Sequence, residues 1–207
     1  MSTQPNNLLT LNETDIDRAG TLLARAFHNN PLLVHMSPDE EERKRKSPIL
    51  FSAFVRFGYL VGKVFTTQNR DGIAVWIPPE ATENDPDLIA KAGISELPTA
   101  LGDETFSRVT TIFGKFEEFR KRDAAFPHWY LTLIGVEPEH QGKGVAGSLL
   151  RPMLACADDE GLPCYLETCE PTNVSFYQKY GFDVIVDELD TEIGVHIWTF
   201  LRQPGAI

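Results

Sequence analysis

The sequence predicts a single α/β domain in which short apolar strands are followed by amphipathic helices. Three observations carry this prediction: a hairpin pattern within residues 63–77, the apolar run HWYLTLIGV, and a glycine-rich loop that leads from that run into a helix. With 207 residues, the chain is long enough to bury one full core, and no repeat, low-complexity tract or linker divides it. We therefore expect one domain over residues 1–207.

Helices are predicted for much of the first third of the chain. The strand pattern LLTLN (residues 8–12) precedes a helix whose expected N-cap is Thr14 and which stops near residues 29–31. A second helix is expected to begin at Ser37 and Pro38, because a capping residue followed by proline favours a helix start.

A hairpin and another long helix follow. KVFTTQ and IAVWI are strand patterns joined by a turn at Asp71 and Gly72, and the Pro-, Gly- and acid-rich stretch from 80 to 103 predicts a loop with a short helix. The next helix carries an aromatic stripe, which we expect to pack in the core rather than bind a ligand. The stripe comprises Phe106, Val109, Ile112, Phe113, Phe116 and Phe119.

The last third of the chain alternates strands and helices. HWYLTLIGV has too many consecutive apolar residues to face water on one side, which indicates a central strand. The helix after the glycines is expected to kink at Pro152 and to end at Gly161, a residue suited to a helix C-terminus. CYLETC predicts another strand, SFYQKYGF a short helix, and VHIWTFL a final strand.

Composition and charge argue against several classes of function. The net charge of -11 disfavours nucleic-acid or polybasic membrane binding, because phosphate recognition depends on Lys and Arg, and it favours a neutral or cationic small partner. We expect no secretory signal in MSTQPNN and no membrane span. Three cysteines without C-x-x-C spacing favour a reducing cytoplasm and no metal site.

Three glycines in HQGKGVAGSLL are open to two interpretations. Gly142, Gly144 and Gly147 have the G-x-G-x-x-G spacing of dinucleotide-binding folds, and Glu167 lies about 20 residues further on, where an acid would hold a ribose. However, residues 137–141 separate the strand from these glycines, and too little chain follows for a full doubly wound sheet. Alternatively, Gly142 and Gly144 turn backbone N–H groups toward a pyrophosphate at the N-terminus of the next helix.

The same loop resembles a known motif. QGKGVA, residues 141–146, matches the [QR]-x-x-G-x-[GA] motif through which GNAT N-acetyltransferases bind acetyl-CoA, and the likeness extends to the strand end GVEP and to FYQKYGF. PHWYLTLIGVEPEHQGKG, GLPCYLETCEPTNVSFYQKYGF and, more weakly, GIAVWIPPE are similar to segments of the puromycin N-acetyltransferase group. The strong likeness covers roughly the last 80 residues. Gly147 lies outside the six-residue motif.

This resemblance implies a fold and a cofactor site. The family fold is a mixed, mostly antiparallel sheet of about six to seven strands, splayed at the acetyl-CoA site and flanked by helices. Residues from about 128 to 202 would form the acetyl-CoA-binding core, and elements within residues 1–125 would mainly shape the acceptor side. The residues expected at the acetyl-CoA site are Gly135, Val136, Gln141, Gly142, Lys143, Gly144, Val145, Ala146, Gly147 and Asn173.

Two of these assignments have structural alternatives. Lys143 also suits a solvent-facing side chain with no part in the cradle. Asn173 also suits the N-cap of the short helix, since many family members carry their asparagine farther ahead of the tyrosine.

The resemblance and the strand pattern together single out two catalytic residues. Tyr177 stands four residues before Gly181, where the family has a tyrosine that hydrogen-bonds the CoA sulfur and acts as a general acid; the alternative is a core tyrosine. Glu167 shares a strand face with Tyr165 and Cys169, where an unpaired carboxylate is costly. It is expected to accept the amine proton or bind a cationic substrate, and pairing with an arginine is the alternative.

Other residues near the same sheet end are weaker candidates for the base: Glu137, Glu170 and His128. Cys169 is assigned no nucleophilic role, because nothing in the pattern requires a covalent intermediate.

The expected activity is acetyl-CoA-dependent acetyl transfer to the primary amine of a small molecule, by direct attack in a ternary complex. A non-catalytic acyl-CoA sensor or interaction module on the same fold is the main alternative, and an NAD-binding protein is a third. No nucleic-acid or membrane partner is expected. The sequence leaves open whether the protein is a monomer or a homodimer and whether the amine is an antibiotic, a metabolite or a peptide.

Overall fold

The structure, a computed structural model, describes residues 8–81 and 85–206; the N-terminal segment MSTQPNN, expected to lack a signal, lies outside them. The strands are β1 (Leu8–Thr10), β2 (Lys63–Thr67), β3 (Gly72–Ile77), β4 (Trp129–Val136), β5 (Cys164–Thr168), β6 (Asp183–Asp190) and β7 (Val195–Arg202). The α-helices are α1 (Ile16–Ala26), α2 (Pro31–Met36), α3 (Glu40–Val61), α4 (Pro86–Lys91), α5 (Leu97–Leu101), α6 (Asp103–Asp123), α7 (Val145–Glu160) and α8 (Val174–Gln178).

The strands form one sheet in the order β1-β2-β3-β4-β5-β7-β6. Every neighbouring pair is antiparallel except β4 and β5, which are parallel and pair only at Trp129 with Cys164 and Tyr130 with Tyr165. Beyond these two pairs, the strands diverge toward Val136 and Thr168. The predicted mixed, mostly antiparallel sheet is confirmed, and its order rules out the doubly wound parallel sheet of a dinucleotide-binding fold.

Helices cover both faces of this sheet. One face packs against α1, α3 and α6, in a core that includes Leu23, Val55 and Ile112. The other face packs against α7, in a core that includes Trp76 and Leu150. Because both faces are covered, all six residues of β3 are buried.

Two helix starts differ from the predictions. Thr14 does not cap α1, because it lies within a 3-10 turn, Glu13–Asp15, that precedes the helix. The second long helix begins after Pro38, since the Asp39 carboxylate accepts the backbone N–H of Glu42 at 2.8 Å. Between them lies the unpredicted α2, capped by Asn30, whose side chain accepts the N–H of Leu32 at 3.0 Å.

The predicted hairpin between β2 and β3 is confirmed, but its turn is not at Asp71-Gly72. Gly72 lies within β3 and pairs with Val136, and the chain reverses over residues 68–71, with Arg70 at φ 54. A side chain at Gly72 would meet α7, because an added Cβ would lie 2.8 Å from Leu149 Cδ1.

The helix α7 continues through Pro152, so the proline does not end it. It stops at Gly161, whose φ of 66 is left-handed, as expected for a helix C-terminus. Within the described ranges, no helix combines the length and apolarity needed to cross a membrane. The same ranges contain no cluster of His, Cys, Asp and Glu arranged to hold a metal ion.

Candidate active site

A cleft of about 1390 Å³ opens where β4 and β5 diverge. At one end it is lined by the glycine loop, which we define as residues 141–146. At the other end lies an apolar lobe, defined by residues of α2, α3, α6, β4 and the segment after α1. The lobe comprises Phe27, Leu32, Leu33, Met36, Leu50, Phe51, Phe54, Phe113, Phe116 and Tyr130.

The glycine loop has the backbone conformation that its composition favours. Gly142 and Gly144 have φ values of +71 and +82, and an added Cβ at either would have no heavy atom within 4 Å, so the requirement for glycine there is conformational. Gly144 is the N-cap residue of α7. Gln141 fixes the loop to the end of β4, since its Nε2 donates to the carbonyl of Val136 at 3.1 Å.

This arrangement suits an anion. The first N–H groups of a helix have no partner within it, and those of the 16-residue α7 begin at the glycine loop beside the cleft. Val145 and Ala146 line the cleft as expected, whereas Lys143 is absent from its lining. The Lys143 ammonium instead donates to the carbonyl of Glu139 at 2.8 Å.

Gly147 lines the cleft for a different reason. It is buried in the first turns of α7, where an added Cβ would lie 1.9 Å from the Tyr180 hydroxyl oxygen. The glycine therefore permits Tyr180 to pack against the helix. Its place in the G-x-G-x-x-G pattern reflects packing between α7 and the segment after α8.

Tyr177 is held on the wall of the cleft by aromatic neighbours. Its ring centroid lies 5.2 Å from that of Phe176, 5.8 Å from Phe182 and 5.4 Å from Phe200. Burial raises the pKa of the Tyr177 phenol above its usual value, so the group keeps its proton at neutral pH. A protonated phenol in a fixed position can serve as a proton donor.

Glu167 lies on β5, on the sheet face shared with Tyr165 and Cys169, as the alternation predicts. It lines the cleft and is only partly buried. Burial, followed by the nearby Glu167 charge, raises the pKa of both the Cys169 thiol and the Tyr165 phenol. The carboxylate is therefore positioned to receive a proton or hold a cation inside the cleft.

Asn173 lines the cleft, and its side chain does not make the capping bond of the alternative assignment. It occupies the N-cap position of α8, but its side chain makes no capping hydrogen bond; Nδ2 donates to the Thr168 hydroxyl at 3.2 Å. This bond ties the start of α8 to the end of β5, at the wall of the cleft.

Thr132 is a site residue that the sequence analysis missed. Leu131 pairs with Trp76 and Leu133 with Val75, so Thr132 is the extra residue of a bulge in β4. Its hydroxyl is buried at the cleft wall and has no hydrogen-bond partner among the described residues. The sequence does mark this residue, because Thr132 is a short hydroxyl side chain among the large apolar residues of WYLTLIGV.

The weaker base candidates are occupied elsewhere. Glu137 forms an ion pair with Arg25, whose Nε donates to Glu137 Oε2 at 2.9 Å. Glu170 accepts from the backbone and hydroxyl of Thr172, at 3.4 and 3.0 Å. His128 has its Nδ1 2.7 Å from the carbonyl of Phe126 and is absent from the cleft lining.

The aromatic stripe of α6 packs in the core and also reaches the cleft. Phe116 and Phe119 are buried, but Phe113 and Phe116 also line the cleft. The prediction that the stripe packs in the core is confirmed, and Phe113 and Phe116 contribute to the cleft wall in addition. Helical spacing gave no warning, because a pocket wall and a core face have the same periodicity.

Comparisons with known proteins agree with this geometry. Residues 109–184 match the family model of the acetyltransferase (GNAT) domain. An uncharacterized N-acetyltransferase of Schizosaccharomyces pombe is 29% identical over 176 residues, which cover 81% of this chain and 70% of that protein.

Two solved structures share the fold. A histone acetyltransferase HPA2 and related acetyltransferase from Corynebacterium glutamicum has a TM-score of 0.65 and 20% identity, covering 96% of both chains. Arylalkylamine N-acetyltransferase 2 from Aedes aegypti also has a TM-score of 0.65, with 14% identity over 96% of this chain and 98% of that chain.

The splayed sheet and the glycine loop at a helix N-terminus, together with these matches, define the class: an N-acetyltransferase. More specifically, residues 109–184 are similar to the GNAT acetyltransferase domain, and the chain shares the fold of the solved acetyltransferases.

Proposed function

We propose that the protein transfers an acetyl group from acetyl-CoA to the primary amine of a small molecule, by direct attack in a ternary complex. One observation carries this proposal: a single cleft joins an anion-binding loop to a phenol, a carboxylate and an apolar lobe. Residues from about 128 to 202 form the acetyl-CoA side, and elements within residues 1–125 contribute most of the acceptor side.

The residues at the loop fit acetyl-CoA. Gly142 and Gly144 leave the space above their backbone open, and the N-terminus of α7 favours the charge of a pyrophosphate. Where β4 diverges from β5, Gly135 and Val136 line the cleft, and a pantetheine chain would run beside their backbone. Thr132 adds a buried hydroxyl on the same wall. When bound, acetyl-CoA would supply the acetyl group as a reactive thioester.

Two residues of this chain would carry out the proton transfers of the reaction. Glu167 accepts a proton from the attacking amine, directly or through water, or holds the ammonium form before attack. Tyr177 donates its phenolic proton to the departing sulfur, because its raised pKa keeps the group protonated. Positioning both substrates in one cleft supplies much of the remaining acceleration.

Direct attack is favoured over a cysteine-bound intermediate. Burial and the nearby Glu167 charge raise the pKa of Cys169, so the residue stays a thiol. A thiol is a poor nucleophile compared with a thiolate. The Cys169 thiol therefore has no advantage over the substrate amine.

Similarity to the puromycin N-acetyltransferase group supports a small molecule as the acceptor. The similar segments lie mostly on the acetyl-CoA side, so they do not identify the amine. The arylalkylamine N-acetyltransferase fold of the mosquito protein is compatible with the same class of acceptor.

The test is release of CoA thiol when the protein is mixed with acetyl-CoA and a panel of primary amines. We expect release that depends on both the amine and the protein. Calorimetry with CoA alone serves as the parallel measurement. Tight CoA binding without turnover of any amine would favour an acyl-CoA sensor and reject the transferase proposal.

A further inference from the structure

The apolar lobe presents aromatic surface to the acceptor end of the cleft. Phe27 and Phe51 have ring centroids 5.3 Å apart, and Phe54 and Phe113 have centroids 4.7 Å apart. Phe27, Phe54 and Phe113 remain partly exposed while they line the cleft. Rings that line a cavity in this way offer faces and edges to another ring.

Carboxylates are scarce in the same cleft. Among the described residues that line it, Asp158, Glu167 and Glu170 carry carboxylates. Asp158 bonds both nitrogens of the Arg202 guanidinium fork, at 2.6 and 2.8 Å, and Glu170 accepts from Thr172. Glu167 is the carboxylate that shares the sheet face of the lobe.

This distribution selects against a second cationic group. A diamine or guanidinoamine whose reactive nitrogen lies near Glu167 and whose chain extends into the lobe would bring its other cation among Phe and Leu side chains. Burying an unpaired charge in such surroundings is strongly unfavourable. A monoamine with an apolar body meets both requirements, because its nitrogen reaches Glu167 and its body contacts the rings.

We infer that the acceptor is a monoamine carrying an aromatic or similarly bulky apolar group, seated against the phenylalanines of α3 and α6. This inference rests on the proposed acetyl transfer. It runs against the net charge of -11, which by itself would favour polycations. The net charge describes the whole surface of the protein, whereas the acceptor would contact the lobe, whose lining is apolar.

The first experiment compares kcat/KM for phenethylamine, ethylamine and agmatine at saturating acetyl-CoA. We expect phenethylamine to exceed each of the others by about tenfold or more, since removing apolar contacts from a pocket reduces the specificity constant by such factors. An agmatine value equal to or above that of phenethylamine overturns the inference and leaves the transferase proposal intact.

The second experiment locates the contact. Phe113→Ala should lower kcat/KM for phenethylamine about tenfold and that for ethylamine by a clearly smaller factor, because ethylamine has no ring to contact Phe113; Phe113→Leu should restore part of the loss. Phe106→Ala is the matched control, because Phe106 lies on the same helix but does not line the cleft. Equal effects of Phe113→Ala and Phe106→Ala would refute the assignment.

Binding separates this inference from failure of the proposed chemistry. If no amine is turned over, calorimetric titration of phenethylamine and agmatine into protein saturated with CoA still ranks the two. Stronger binding of phenethylamine supports the lobe as an aromatic-amine site. Binding of agmatine alone, or of neither amine, overturns it.

Discussion

At the residue scale, Gly142, Gly144 and Gly147 look alike in the sequence but have different roles. Gly142 and Gly144 adopt a left-handed backbone conformation that favours glycine, whereas at Gly147 a side chain would collide with the hydroxyl of Tyr180. The spacing of the loop could therefore be predicted from the sequence, but the reason for its third glycine could not, since that depends on a residue 33 positions later. Long-range contacts of this kind leave no local signal.

The conformational role of Gly144 can be tested. Gly144→Ala should weaken acetyl-CoA binding about tenfold, because a left-handed alanine costs about 1–2 kcal/mol and distorts the loop. Gly161→Ala is the control, since Gly161 is also left-handed (φ +66) but lies at the other end of α7. Calorimetry measures the affinities. Equal weakening by both substitutions would contradict a specific role of the loop.

Tyr177 allows a second test at this scale. Tyr177→Phe should lower kcat roughly 100-fold or more while the KM for acetyl-CoA changes little, because the ring packing is kept and the donor is lost. Since burial raises the Tyr177 pKa, the unmodified enzyme should retain this donor up to pH values above the usual range of tyrosine. Steady-state kinetics across pH would check both statements; unchanged kcat would exclude Tyr177 as the acid.

At the scale of elements, the sequence predicted most of the strands and long helices, and the structure confirms them. The short α2 and the start of α3 were missed because their caps, Asn30 and Asp39, stand among several polar residues that could equally cap a helix. The position of α6 beside the cleft was not predicted. One side of it joins the core while two of its phenylalanines face the cleft, and a single periodic pattern describes both.

Helix α6 also contains a glycine that lowers its stability and can be replaced. Gly114 lies in the middle of the helix, and an added Cβ would have no heavy atom within 4 Å. Gly114→Ala should therefore stabilise the protein by about 0.5–1 kcal/mol, through lower backbone entropy of the unfolded chain. Denaturant unfolding measures the gain, and activity should be unchanged.

Gly20→Ala provides the opposite case. Its Cβ would lie 2.7 Å from the backbone nitrogen of Ser52, where α1 and α3 approach closely. We expect this substitution to destabilise the fold. Stabilisation by Gly20→Ala, or destabilisation by Gly114→Ala, would show that the close approach of helices does not decide the outcome.

At the scale of the whole molecule, an ion pair joins the last strand, β7, to helix α7. Arg202 on β7 is almost fully buried and bonds Asp158 on α7, which also accepts the N–H of Gly205 at 2.7 Å. Hydrogen bonds from Arg202 hold the Asp158 pKa below its ordinary value. The pKa of Asp158 in the folded protein lies below its pKa in the unfolded chain. The ion pair therefore stabilises the fold at pH values above the unfolded-state pKa, and this stabilisation is lost as the pH falls through the folded-state pKa.

The resulting prediction concerns acid stability. Asp158→Asn should reduce the unfolding free energy by about 1–3 kcal/mol at pH 7, and the difference from the unmodified protein should shrink below about pH 4. Asp159→Asn is the control, because Asp159 is an exposed neighbour on the same helix. Denaturant titrations at several pH values would test this. A difference independent of pH would contradict the assigned ionisation.

Sheet order was the part of the fold that residues alone could not supply. Strand patterns identify segments, but the order β4-β5-β7-β6 depends on contacts between distant parts of the chain. The family resemblance predicted a mixed, mostly antiparallel sheet that is splayed at the acetyl-CoA site, but it gave no strand order. The apolar lobe could not be predicted in this way, because its walls come mainly from α2, α3 and α6, where the resemblance is faint.

The divergence of β4 and β5 has one more consequence. The sheet consists of two half-sheets, one of four strands and one of three, that share only the pairs at residues 129–130 and 164–165. The two half-sheets are joined at this junction and separate beyond it, with Thr132 on the edge of one and Glu167 on the edge of the other. Trp129 belongs to this junction, and its indole donates to Glu160 on α7 at 2.6 Å; we therefore expect a substitution there to alter binding of both proposed substrates together, which calorimetry with CoA and with an amine would measure.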